Sequence, residues 1–190
     1  MDWKLLTKAD YVTTSWSGGT TTQLAISPEG AVYADRDFLW RLSSATVELD
    51  HSDFTPLPDY NRFLSVLTGE IQLKVGEQAP APLIPGQVVA FDGGVPVESW
   101  GQCVDFNLMV RKGKGQGAVQ VLRRDSSFEE TWLPDPGDLA VYCASGKVRL
   151  TDFDAEAEAG QTLLCRGFPG GPVKLACEAG LVMLASVREA

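Results

Sequence analysis

Histidine is almost missing from this 190-residue chain, occurring once, at His51. Metal centres built on two or three converging imidazoles are therefore excluded. His51 itself lies between Asp50 and Ser52 and reads as a solvated residue of a polar loop. Asp35, Asp37, Asp50 and Asp53 read as turn formers, so the sequence predicts no metal and no cofactor. Positive charge is also short: 16 Lys and Arg stand against 25 Asp and Glu, a net charge of −9. That balance excludes non-specific binding to nucleic acid and suits an anionic membrane surface poorly. No apolar run reaches membrane-spanning length, and Met1-Asp2-Trp3-Lys4 lacks the basic and apolar regions of a signal peptide. None of the four cysteines (Cys103, Cys143, Cys165, Cys177) has CxxC spacing, and all sit among apolar residues. Buried free thiols in a reducing cytoplasm are the expectation. There is no GxSxG, no histidine placed to activate a nucleophile, and no lysine after Gly18-Gly19 to make a phosphate loop.

Long helical periodicity is absent too, and what replaces it is alternation. Ile71, Leu73 and Val75 share one face of a strand, with Glu70, Gln72 and Lys74 on the other. In Phe38–Ser43 the same period puts Arg41 and Ser43 with Ala45, Val47 and Leu49. Arg62 shares a face with Leu64 and Val66, and Asp105 with Asn107 and Met109. Two arginines on apolar strand faces carry charge toward an interior, and there they need a carboxylate from the protein or from a ligand. Ser27-Pro28-Glu29 predicts a short helix near residues 28–36, with Gly30 limiting its length. Trp16 to Gln23 reads as a Gly-Gly turn entering a threonine-rich strand. Its residues either face water or close the mouth of a site.

Short strands separated by Gly and Pro turns continue to the end of the chain, which predicts an all-β fold. The two halves also echo one another. Phe63–Leu73 matches Leu139–Leu150, Pro85-Gly86-Gln87 matches Ala159-Gly160-Gln161, and Phe106–Met109 matches Leu181–Leu184. Strand, glycine turn, strand, Gly-Gln turn, strand is the rhythm of a double-stranded β-helix, so two fused jelly-roll barrels are expected. Lys112 to Gly117 reads as a flexible linker, dividing the chain into residues 1–115 and 116–190, the second barrel able to share strands with the first. Polar strand residues concentrate in the first half, so the first barrel is expected to hold a ligand and the second to be packed solid.

Trp16-Ser17-Gly18-Gly19-Thr20-Thr21, Phe38 to Ala45, Asp53-Phe54-Thr55, Asn61-Arg62 and Asp105 to Met109 together resemble the HutD/Ves family of cupin-like proteins. The resemblance implies a two-barrel cupin fold. One branch of that family is associated with bacterial histidine utilisation and with binding a pathway metabolite such as a formylated glutamate or urocanate. The other is tied loosely to stress response, and neither has an established reaction. Many members have an asparagine and a third glycine where this chain has Ser17 and Thr20, and many have a glutamate near Gln23.

The expected function is binding of a small anionic metabolite in the first barrel, in the cytoplasm and with a regulatory role. Its site residues are Trp16, Thr20, Thr21, Gln23, Arg41, Ser43, Arg62, Asp105 and Asn107. Arginine pairs a carboxylate through both oxygens, while Asn107 and Ser43 offer donors and acceptors to an amide or formyl group. Two alternatives stay open. One is a metal-independent acid–base enzyme using Asp105 or Glu48 with Arg41. The other is a scaffold in which Arg41 pairs with Asp105 and no ligand enters. A homodimer through strand edges is compatible with all three.

Overall fold

The computed structural model describes residues 2–190. Its strands, in chain order, begin with β1 (Trp3–Leu6), β2 (Val12–Trp16), β3 (Gly19–Ser27), β4 (Trp40–Val47) and β5 (His51–Asp53). They continue with β6 (Tyr60–Gly69), β7 (Ile71–Val75), β8 (Ala81–Leu83), β9 (Val88–Asp92), β10 (Val97–Trp100) and β11 (Cys103–Arg111). After these come β12 (Gly115–Arg124), β13 (Phe128–Trp132), β14 (Gly137–Ser145) and β15 (Lys147–Leu150). The chain closes with β16 (Ala155–Glu158), β17 (Gln161–Phe168), β18 (Val173–Cys177) and β19 (Gly180–Glu189). The all-β expectation holds, and no helix among the described residues is long and apolar enough to cross a membrane.

The chain divides into two compact units. The first, Val12–Gln116, contains a six-stranded sheet ordered β2-β3-β4-β11-β6-β9 and a four-stranded sheet ordered β5-β10-β7-β8. Val47, Leu64 and Val66 of the larger sheet pack with Ile71, Leu73, Leu83 and Val97 of the smaller one. The second unit takes residues up to Tyr11 together with Gly117–Ala190. It contains the sheets β1-β17-β14-β19-β12 and β13-β18-β15-β16. Leu139, Val141, Val182 and Leu184 meet Val148, Leu150, Val173 and Leu175 in its core.

Several details differ from the sequence reading. β1, expected in the first barrel, runs antiparallel to β17 with Trp3 opposite Cys165, a pairing too distant in sequence for local pattern to reveal. The helix near residues 28–36 reduces to a single 3₁₀ turn, Tyr33–Asp35. Ser27 cannot act as its cap because it ends β3 and its carbonyl accepts the Leu39 N–H at 2.7 Å. Val32 precedes the turn without a side-chain cap, and Arg36 stops it at a left-handed φ of 54°. Residues 112–117 are not a loose linker. Lys112 donates its N–H to Asp59 O at 2.9 Å and pairs with Asp92 at 2.6 Å, making a pinned turn that leads into β12. His51 lies in strand β5 opposite Trp100, not in a loop.

The echo between the halves has a structural counterpart. Gly69 ends β6 and Gly146 follows β14, both at φ 80°, where a Cβ would sit 2.5 Å from the carbonyl oxygens of Gln102 and Ala179 respectively. Counting back from these turns, Arg62, Leu64 and Val66 correspond to Leu139, Val141 and Cys143. The pairings of β11 and β19 then set Asp105 against Val182 and Asn107 against Leu184. For β11 and β19 this register lies two residues from the one suggested by the sequence, which set Asn107 against Val182. A slip of two preserves which residues face inward, so alternation alone does not detect it.

Candidate functional site

The first unit holds a half-open cavity of about 320 Å³ whose floor is the β4–β11–β6 part of the large sheet. Cross-strand register arranges that floor in rows. Arg41, Met109 and Arg62 are direct neighbours across the three strands. One step along, Ser43 and Asn107 are partners, and Gln23 of β3 lies beside Ser43. Asp105 comes next, beside Val66, where β11 carries a bulge. Adjacent strands are about 4.8 Å apart, so the two arginine backbones stand about 10 Å apart with Met109 between them.

Both guanidiniums are buried and held without an acid. Arg41 Nε donates to Gln23 Oε1 at 2.8 Å, and its Cζ lies 4.0 Å from the Tyr33 ring centroid. Arg36 stacks on the same ring at 3.8 Å. Arg62 lies near Phe54 and Phe91, at 5.2 and 5.5 Å, and donates to Thr55 O at 3.3 Å. Its Nε has no partner. Burial lowers the pKa of both arginines, yet a guanidinium stays charged. Among the described residues, no carboxylate forms an ion pair with Arg41 or Arg62, so the Arg41–Asp105 pair of the scaffold alternative does not form.

Asp105 is the acid of the cavity floor. Its Oδ1 accepts the Ala45 N–H at 2.9 Å. Burial pushes its carboxyl up to about 7, against the opposing pull of that hydrogen bond and of Arg62. The neighbouring Cys103 thiol is pushed up to about 12, again by burial and then by Asp105, and stays protonated. Asn107 Oδ1 and Ser52 Oγ are buried without a partner.

Of the residues expected at the site, Trp16, Thr21, Arg41, Ser43, Arg62, Asp105 and Asn107 line this cavity. Gln23 reaches it only through Arg41. Thr20 does not line it, because alternation along β3 sends Thr20 and Thr22 to the opposite face, where Thr22 bonds Thr13 at 2.9 Å. Glu48, weighed as an acid–base partner, is exposed and outside. Tyr33, Arg36, Ser52 and Asp53 also line the cavity and were missed. The Asp53-Phe54-Thr55 motif was the available hint for the last of these; nothing local marked Tyr33 or Arg36.

Residues 8–181 match the HutD family. The chain belongs to that family. A conserved protein of unknown function from Pseudomonas aeruginosa PAO1 superposes with a TM-score of 0.82 at 25% identity, over 98% of this chain and 99% of its own. HutD from Pseudomonas fluorescens SBW25 gives 0.82 at 21% identity, over the full length of both chains (100% and 100%). Pirin YhhW from Escherichia coli, in complex with nickel(II), gives 0.65 at 9% identity, over 97% of this chain and 98% of its own. The fold is thus cupin-like. No curated protein matches the sequence.

The pirin complex raises the question whether this cavity suits a divalent cation. Its lining offers three guanidiniums, the carboxylates of Asp53 and Asp105, and no imidazole. That donor set does not fit a metal, since guanidinium neither ligates nor tolerates a nearby cation. His51, Asp53 and Glu98 do bring ligand atoms within 4.8 Å of one another on β5 and β10. Glu98 there already pairs with His51 at 3.3 Å and Lys74 at 3.1 Å, an ordinary surface network.

Proposed function

We propose that the first unit of this HutD family member is a cytoplasmic receptor for a small carboxylated metabolite, serving a regulatory role. The observation that carries this reading is Arg41 and Arg62, in register on either side of Met109, two buried cations facing one cavity with no protein carboxylate bound to either. A buried charge without a counter-charge is costly, and a ligand carboxylate bridging the row over Met109 supplies one with bidentate geometry. The volume, about 320 Å³, lies at the small end of metabolite pockets. Ser43 and Asn107 lie one row further in and line the cavity, suited to an amide or formyl group, so amino-acid derivatives such as formylglutamate or urocanate head the candidates. Thermal-shift and calorimetric titration with formylglutamate, urocanate, glutamate and simpler acids tests this. Binding that weakens by about tenfold or more in Arg41→Leu and in Arg62→Leu supports the reading, and absence of any shift at millimolar concentration overturns it.

One observation favours a second reading, metal-independent acid–base chemistry. Asp105 titrates near neutrality inside the cavity, as a general base should. Turnover of a bound acid, lost in Asp105→Asn with binding retained, distinguishes this from simple reception.

A further inference from the structure

The floor of the cavity is polarised along its length. At one end, Arg41 and Arg62 present only donors, and the Nε of Arg62 is unmet. At the other, the group that waits is the Asp105 carboxylate. It takes only the Ala45 N–H from the protein, on Oδ1. Asp105 is 5% exposed and lines the cavity, and its Oδ2 has no protein partner, so its unmet capacity is turned to that cavity. From the arginine row to Asp105 is four residues along β11, about 13 Å of backbone. No arginine comes within ion-pairing distance of Asp105 among the described residues, although Arg62 is near enough to influence its charge.

We infer that the ligand is bifunctional: its carboxylate lies on the arginine row, and an N–H, ammonium or O–H at its far end donates to Asp105. This inference rests on the carboxylate reading above and adds to it a residue that selects among carboxylates. The physical reason is that a buried acceptor penalises a ligand lacking the matching donor. Such a ligand desolvates Asp105 and returns nothing, and discrimination of this kind exceeds what one methylene achieves.

A ligand carrying a second carboxylate at that end meets Asp105 as a like charge. It is accommodated only when a proton from solvent sits on Asp105 Oδ2, Oδ1 being engaged by Ala45. The charged and titratable groups that line the cavity with Asp105 are Arg62 from β6, Arg41 from β4, Arg36 and Tyr33 from the connection after β3 and Asp53 from β5, while Cys103 lies on the same strand as Asp105; Arg62 acts on the charge of Asp105. Of these the three arginines stay charged, and the Cys103 thiol, pushed up to about 12, holds its proton throughout the neutral range.

The test is calorimetry at pH 8 with unbranched carboxylic acids of three to six carbons, each compared with its ω-amino counterpart and with the α,ω-diacid of the same length. At the best-fitting length the ω-amino acid is expected to bind at least tenfold more tightly than the plain acid. That advantage should fall below threefold in Asp105→Asn, which keeps an acceptor for Ala45 N–H. The diacid should bind with uptake of up to one proton, read from the dependence of the heat on buffer ionisation enthalpy, and the uptake should vanish in Asp105→Asn. Plain and ω-amino acids binding equally, with Asp105→Asn indifferent, overturns this inference alone. Failure of every acid to bind overturns the carboxylate reading and this inference with it.

Discussion

The two units build the same positions from opposite chemistry. Where the first carries Arg62, Asp105 and Asn107, the second carries Leu139, Val182 and Leu184, all in one apolar cluster. In the second unit these side chains meet the facing sheet and complete a core. In the first, the corresponding residues border a cavity, and Arg62 Nε and Asn107 Oδ1 go unpaired. A strand position tolerates guanidinium or leucine according to whether the space above it is filled. The filled unit puts its interior to stability. The hollow one accepts buried charge, a cost natural folds concentrate at functional sites.

The largest way to break the comparison is to exchange the chemistry. Leu139→Arg places an unpaired cation in a filled core and should destabilise the chain by at least about 3 kcal/mol, or prevent folding, in urea titration. The reverse change, Arg62→Leu, should leave stability unchanged or raise it, because an uncompensated buried charge is replaced by packing.

Next in size is the pH dependence that only the hollow unit should show. The ordinary carboxyl value for Asp105 is 3.8 and the folded chain raises it to about 7, with burial as the main cause. The folded state therefore holds this proton more tightly than the unfolded one. The resulting stability is complete below about pH 4 and is lost as pH rises through 7, at up to about 1.4 kcal/mol per pH unit. Denaturation midpoints between pH 4 and 8 should fall in the parent protein more steeply than in Asp105→Asn. Parallel curves would mean that Asp105 is not buried as described.

A smaller effect concerns binding. Arg62→Leu should weaken whichever acid binds by about 10- to 100-fold, in line with the loss of one charge-assisted contact. Unchanged affinity would remove Arg62 from the site.

How much of this was legible beforehand follows from periodicity. Arg41, Ser43, Arg62, Asp105 and Asn107 lie on long strands, where a period of two states plainly which residues share a face. Thr20 and Thr21 are neighbours in a polar segment, and the alternation of β3 separates them, turning Thr21 to the cavity and Thr20 away from it. Tyr33 and Arg36 lie in a connection with no period, and tertiary packing alone brings them over the cavity. Ser52 and Asp53 sit on a three-residue strand, too short to show alternation. β13 and β16 are five and four residues long with two glutamates each, too short and too polar to stand out as strands.

The finest distinction is between touching a ligand and holding a residue that does. Gln23 does not line the cavity, but its Oε1 accepts from Arg41 Nε at 2.8 Å while Tyr33 stacks against the same guanidinium. A neutral acceptor there fixes the orientation of Arg41 without cancelling its charge. Gln23→Ala should therefore weaken acid binding only a few-fold, about 1 kcal/mol for one lost hydrogen bond, with the same ranking of acids. Gln23→Glu restores the hydrogen bond but supplies the counter-charge that the ligand is proposed to bring. If Gln23 merely supports the fold, the glutamate should rescue binding. If Arg41 receives a carboxylate, Gln23→Glu should bind acids more weakly than Gln23→Ala while melting at a higher temperature, because the internal acid then competes for the cation.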